Sequence, residues 1–320
     1  MTGRVARAMS PRVSVVIPTV GRHTLARAVQ SVLDQTYRVA EILVVADTDT
    51  PLQLPVDERI VLLRTPPGAG SGPHRQRGIE ASTGSVIALL DDDDEWHPDK
   101  LRRQLDRVAS YSGDQWIASS RTSVIGPGRR RRVWPRRLVG PHESVAEYLF
   151  RFTDLRFGGA MLQTSTLCFP AEIARKVRWD DDGDKPHDEP SWLIRVQAAM
   201  PELRVIQLPE VLGIYHVGGE SLSRSSLDRT DEYLDWGLRH LSGESPRVRG
   251  DYLCTSPVSA AVSARSLAGV RRAILTGLRH GRPGPWALGY AVLSAVRILL
   301  LRMRSAVSAP APSPGRKWPS

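Results

Sequence analysis

The chain has 320 residues, 41% hydrophobic and 24% charged, a balance that supports a folded core in one large domain or two small ones and argues against disorder. Its 44 Lys and Arg against 34 Asp and Glu leave a net charge of +10, so the expected partners are anions: nucleic acid, an acidic membrane surface or a phosphorylated small molecule. The two cysteines, Cys168 and Cys254, are far apart with no CxxC pair, which argues against a disulfide framework or structural zinc and fits a reducing compartment.

Residues 1–11 read as a flexible N-terminus without the long apolar run of a secretion signal, so a cytoplasmic location is expected. From residue 12 the pattern alternates between two periods. "VSVVI" (13–17), "ILVVA" (42–46), "IVLL" (60–63) and "VIALL" (86–90) are short β-branched runs of the kind buried on both faces of a parallel sheet. Between them, "TLARAVQSVLDQ" gathers Leu25, Val29, Val32 and Leu33 on one helical face, and "PDKLRRQLDRVA" gathers Leu101, Leu105 and Val108, with Pro98 suited to a first turn. Strands alternating with helices imply βαβ crossovers and an α/β fold with a mostly parallel sheet. Ligands collect beyond the carboxyl ends of such strands, and there the chain carries "PTVGR" (18–22), "ADTDT" (46–50) and "DDDD" (91–94).

Further along, "PPGAGSGP" (66–73) has too many breakers for regular structure and reads as a loop over a ligand. "GRRRRVWPRR" (128–137) holds its arginines around a tryptophan, a pattern suited to RNA, anionic headgroups or an acidic acceptor, and equally to a solvated loop. "RWDDDGDKP" (178–186) reads as a solvated acidic loop. The apolar stretch from Trp286 to Leu301 is interrupted by Arg297, so it is marginal as a span and fits a helix lying in a membrane interface or packed on the domain. The Pro-, Ala- and Ser-rich tail 305–320 reads as disordered.

In order, "VSVVIPTVGR", "SVLDQTY", "EILVVADTDT" and "RQRGIEASTGSVIALLDDDDEWHPDKL" resemble the family 2 glycosyltransferases, in register over residues 12–110 and more loosely to about 225. The resemblance implies a GT-A fold: a nucleotide-sugar-binding half (12–110), an acceptor-binding half (111–225) and then a C-terminal helical region (226–304). It implies an inverting transfer from a nucleotide-sugar donor, a UDP-sugar by preference, to a hydroxyl acceptor in cell-surface polysaccharide, glycolipid or glycoconjugate synthesis. Mg²⁺ or Mn²⁺ would be held by a DxD-type motif.

Residue by residue, the resemblance places Pro18, Thr19, Val20 and Arg22 at the donor. Asp47 is placed on the base, although Ala46 stands where a second Asp is common. Arg75 is placed on the diphosphate or on the acidic loop, with Gln76 where Asn is usual and Gly78 on the expected helix glycine. Asp91 and Asp93 form the DxD pair, with Asp93 the principal metal ligand and Asp91 or Asp92 turned to the ribose. Asp94, Glu95 and Trp96 are expected to shape the turn into the following helix.

"GGAMLQTSTLCF" (158–169) resembles the strand beside the sugar pocket, where Gly158 to Ala160 leave room and Gln163 and Thr164 are sugar or sheet partners. In "KPHDEPSWLIRV", Trp192, Leu193 and Arg195 set a register that puts Glu189 on the catalytic base and Asp188 on its acidic neighbour, a one-residue slip exchanging them. "LGIYHVGGESLSR" resembles the closing loop, with His216 a metal or phosphate ligand and Arg224 a diphosphate partner. Two other classes stay open: a sugar-1-phosphate nucleotidyltransferase, disfavoured by the single glycine in "IPTVGRHT", and a nucleic-acid-binding protein using the arginine run, disfavoured by the lack of a binding motif.

Overall fold

A computed structural model describes residues 10–66, 68, 70–126, 130–155, 159–179, 186–217 and 227–307, with backbone alone for 304–307. Gly158 and Arg224, the first residue of the "RRRR" run and most of the acidic stretch 178–186 lie outside the described residues. The chain divides into two compact units, Met1–Phe150 with Arg156–Ser221, and Arg151–Leu155 with Leu222–Ser320.

In the first unit the elements run β1 (Val13–Thr19), α1 (Leu25–Leu33), β2 (Glu41–Ala46), β3 (Ile60–Arg64), α2 (Ser71–Ala81), β4 (Val86–Leu89), β5 (Glu95–Trp96) and α3 (Lys100–Ala109). They continue as β6 (Trp116–Ile125), β7 (Arg131–Trp134), α4 (Val145–Phe150), β8 (Cys168–Pro170), α5 (Ala171–Lys176), α6 (Asp188–Ala199) and β9 (Arg204–His216). The sheet order is β3-β2-β1-β4-β8-β6-β9-β5, with β7 paired to β6. β1 to β4 are mutually parallel, as the four β-branched runs require, and β8 then joins β4 antiparallel.

Alternation along β1 sorts the core onto two faces. Val13, Val15 and Ile17 pack with Leu25, Val29 and Val32 of α1 and Leu101 and Leu105 of α3. Val16 turns to the other face, with Ile79 of α2, Phe169 of β8 and Trp192 and Val196 of α6. Helices therefore cover both faces, which explains why these strands carry continuous apolar runs. Gly78 lets α2 lie close on β1: a Cβ there would collide with Val16 Cγ1.

The structure corrects three local expectations. Glu95 and Trp96 do not start a helix; they form β5, paired antiparallel with Gly213 and Ile214 of β9, and α3 begins four residues later at Lys100, leaving Pro98 outside it. Only Cys168–Pro170 of the expected 158–169 strand is a strand, and Thr164–Thr166 form a single tight turn before it. Ser71 to Pro73 open α2, so helix replaces part of the expected loop 66–73. Cys168 and Cys254 are buried free thiols.

The second unit is helical: α7 (Thr230–His240), α8 (Pro246–Leu253), α9 (Ser256–Ser263), α10 (Leu267–His280) and α11 (Pro285–Val307). Ser245 and Ser266 cap α8 and α10 by accepting the Val248 and Gly269 N–H groups. The fully buried Asp251 accepts from the Gly284 N–H at 2.7 Å, the Phe152 N–H at 3.1 Å and Arg247 Nε at 3.0 Å, fixing the start of α11.

Candidate active site

The parallel strands deliver their carboxyl ends to one edge, where the acidic run begins. Each aspartate of the run has a different fate. Asp92 is 1% exposed and turns back to β1, accepting from Thr19 Oγ1 and Arg22 Nη1, both at 2.5 Å. Asp91 pairs with Arg75 Nη2 at 2.7 Å. Asp94, also 1% exposed, accepts from Gln163 Nε2 at 2.5 Å and Ser165 Oγ at 2.6 Å, and burial, then Asp91, pushes it up to about 8. Ser165 Oγ also accepts the Asp91 N–H, so one hydroxyl ties two members of the run. Asp93 alone points outward, its side chain 39% exposed and its nearest counter-charge Arg22 at 3.6 Å. Burial, then Asp91, raises its pKa against the pull of Arg22.

Arg75, in α2, is the hub. Its second arm meets Asp188 Oδ2 at 2.5 Å, and its guanidinium lies 5.5 Å over the Trp179 ring, which stacks on Trp192. Burial would lower the Arg75 pKa, but the charges of Asp91 and Asp188 outweigh it and hold the pKa above its ordinary value. Asp188 is occupied on every side: Trp179 Nε1–H donates to Oδ1 at 2.8 Å, and Ser71 Oγ reaches Oδ2 at 3.3 Å. Glu189, beside it in the first turn of α6, takes no side-chain hydrogen bond among the described residues. Burial pushes its carboxyl up to about 7, with Arg75 lowering it and Asp188 and Asp91 adding repulsion.

One side of the edge is formed by β1 and β2. Pro18 lies in the buried strand, Val20 is exposed just past it, and Gly21, at φ 85°, turns the chain while donating to Thr19 Oγ1. Asp47, directly after β2, accepts the Gly68 N–H at 2.6 Å and lies 3.7 Å from His74 Nε2, a buried atom without a hydrogen-bond partner. His216, at the end of β9, has its backbone N–H 3.4 Å from Asp94 Oδ1 and its Nε2 2.7 Å from Glu95 Oε1, which also meets Arg27 Nε at 3.0 Å. Gln163 is likewise committed, to Asp94. The sequence offered no sign of His74, of the anchoring role of Trp179, or of Tyr215, whose hydroxyl is pushed up to about 12 by burial, then Asp94, Glu189, Asp93 and Asp91.

Among the described residues no three His, Cys, Asp or Glu side chains form a cluster able to hold a metal by themselves. The outward Asp93 carboxylate nonetheless fits Mg²⁺ or Mn²⁺, which bind through one or two carboxylates together with substrate phosphates rather than in an all-protein cage.

The model of "Glycosyl transferase family 2" matches residues 14–169. The amylovoran biosynthesis glycosyltransferase AmsB of Erwinia amylovora is 30% identical over 251 residues, covering 73% of this chain and 78% of AmsB. This chain belongs to glycosyl transferase family 2, and it is a glycosyltransferase. The UDP-Glc:alpha-D-GlcNAc-diphosphoundecaprenol beta-1,3-glucosyltransferase WfgD of Escherichia coli is 34% identical over 125 residues, covering 36% of this chain and 49% of WfgD. Among solved structures, S. aureus TarS 1-349 in complex with UDP-GlcNAc superposes with a TM-score of 0.55 over 92% of both chains at 13% identity. That likeness places the GT-A architecture expected above on this α/β edge.

Proposed function

We propose that the enzyme transfers a sugar from a UDP-sugar to a hydroxyl acceptor with inversion, in the synthesis of a bacterial-type surface polysaccharide and beside the cytoplasmic face of a membrane. The observation that carries the reading is the chain Asp91–Arg75–Asp188, which fastens the acidic donor edge to the first turn of α6, where Glu189 stands with no side-chain hydrogen bond to another described residue. The names of AmsB, WfgD and the UDP-GlcNAc complex of TarS support the donor class and the polysaccharide setting.

Inversion needs one carboxylate to take the acceptor proton as its oxygen attacks. Asp188 is held as an ion pair by Arg75, Trp179 and Ser71 and serves as a positioning residue. Glu189, raised to about 7, is poised to accept a proton near neutrality, which supports Glu189 over Asp188 as the base. Asp47 and the neighbouring His74 would receive the base, and Thr19 and Arg22 would keep Asp92 fixed under the ribose and diphosphate. Asp93, with Asp91 behind it, would hold Mg²⁺ or Mn²⁺, which when bound neutralises charge developing on the leaving diphosphate. His216 and Glu95 brace that side rather than ligate it.

A screen of nucleotide sugars with Mn²⁺ and Mg²⁺, read as release of the nucleoside diphosphate, tests the reading. UDP from a UDP-sugar is the expected product; no release from any nucleotide sugar would overturn it.

A further inference from the structure

The positive charge of this protein has an address. From Tyr252 to Ser320 the sequence contains no Asp or Glu, and it contains ten basic residues, nine Arg and Lys317. Removing those ten from the 44 Lys and Arg leaves 34, against 34 Asp and Glu, so the first 251 residues are electrically balanced and the whole net charge of +10 belongs to the last 69.

The same region exposes a continuous apolar surface. On α11, Ala287, Ala291, Ser294 and Ile298 form the face buried within the second unit. The opposite face carries Val292, Leu293, Val296, Leu299, Leu300 and Met303, each between 46% and 64% exposed. With about 100° per residue, these side chains sweep an arc of about 120°. Gly289 lies within that arc, and a Cβ there would meet nothing within 4 Å. Arg297 and Arg302 flank the arc on its two sides, and on the adjoining α10 the exposed Leu275 and Leu278 stand between Arg271 and Arg279, with Arg272 paired to Asp231 at 2.9 Å. Pro285–Met303 is long and apolar enough to cross a bilayer, with a mean hydropathy of 1.5. Its buried stripe and its flanking arginines suit a helix lying in the plane of the interface better than one crossing it.

We propose that the exposed face of α11, with the arginines of α10 and α11 around it, docks the protein on an anionic phospholipid bilayer. Charge complementarity selects this occupant: the apolar arc enters the acyl boundary while the arginines reach acidic headgroups. A nucleic acid would meet the arginines and leave the leucines in water, and a second copy would bring like charge against like. The inference deepens the membrane-side placement proposed above and names its surface.

Full-length protein is sedimented with vesicles of phosphatidylcholine alone or with about one-third phosphatidylglycerol. Binding to the anionic vesicles only, weakened by salt, is expected. Leu293→Asn with Leu300→Asn should weaken it more than tenfold, and Arg271→Gln or Arg297→Gln about fivefold each. Unchanged melting of each variant, and unchanged donor hydrolysis in vesicle-free solution, separate a failure of docking from a failure of the glycosyltransferase reading. No binding to anionic vesicles, binding indifferent to these substitutions, a dimer in solution that the Leu variants dissociate, or a chain released from membranes by detergent but not by high salt or alkali would each overturn the proposal.

Discussion

The acidic edge of the first unit and the arginine-rich end of the second both crowd like charges, but the first is the more fully countered. Asp91 and Asp92 sit against Arg75 and Arg22, and Asp94 against neutral donors from Gln163 and Ser165. The last 69 residues contain no Asp or Glu, although Arg272 pairs with Asp231 and Asp228 from the preceding segment. Self-neutralised charge is a way to hold a shape; charge left unbalanced is a way to attract a partner. Asp93 is the exception that proves informative, since within an otherwise compensated cluster it is the one aspartate without a close partner, at the place where a cation bound to a diphosphate would complete the balance.

The largest effect expected from breaking the first arrangement belongs to Arg75. Arg75→Met strands Asp91 and Asp188 together, and denaturant unfolding should show a loss of about 3–5 kcal/mol; a loss within 0.5 kcal/mol, typical of an exposed arginine, would erase the contrast between the two regions. Asp93→Asn should leave stability nearly unchanged but lower turnover by about 10²–10³-fold, and it should abolish the dependence of UDP affinity on Mn²⁺, measured by calorimetry. Retained metal dependence would move the cation site elsewhere.

The pH profile sharpens the distinction between Glu189 and Asp188. The base works deprotonated, and burial raises Glu189 to about 7, so kcat should climb with pH up to about 7 and fall about tenfold per unit below it. A plateau continuing to pH 5 would contradict Glu189 as the base. The smallest expected effects compare two helix glycines. Gly78→Ala drives a methyl into Val16 and should cost about 1–3 kcal/mol, whereas Gly289→Ala, in open space on α11, should stabilise by up to about 1 kcal/mol.

Legibility in the sequence followed the range of the interactions. Three of the parallel strands, β1, β2 and β4, and the helices α1 and α3 were readable because burial on two faces and on one stripe leaves local periods of apolar residues, whereas β3 carries a similar run at the sheet edge with Val61 and Leu62 exposed. β5 was not, because two residues carry no period and Glu95–Trp96 becomes a strand only through its pairing with β9, more than 100 positions away. For the same reason Asp94 looked like a helix-start residue, when its partners Gln163 and Ser165 bury it in the site. Register left Glu189 and Asp188 both open as the proposed base; the capture of Asp188 by Arg75 and Trp179 is a tertiary contact that no spacing announces.

The central claim is that Glu189 takes the acceptor proton while Asp188 holds the site together, and the single-turnover rate of Glu189→Gln, measured alongside its UDP affinity, tests it most directly. The rate should fall by about 10²–10⁴-fold with affinity for UDP and Mn²⁺ unchanged, since the amide keeps the shape and cannot accept the proton. Transfer at the wild-type rate by Glu189→Gln would contradict the account.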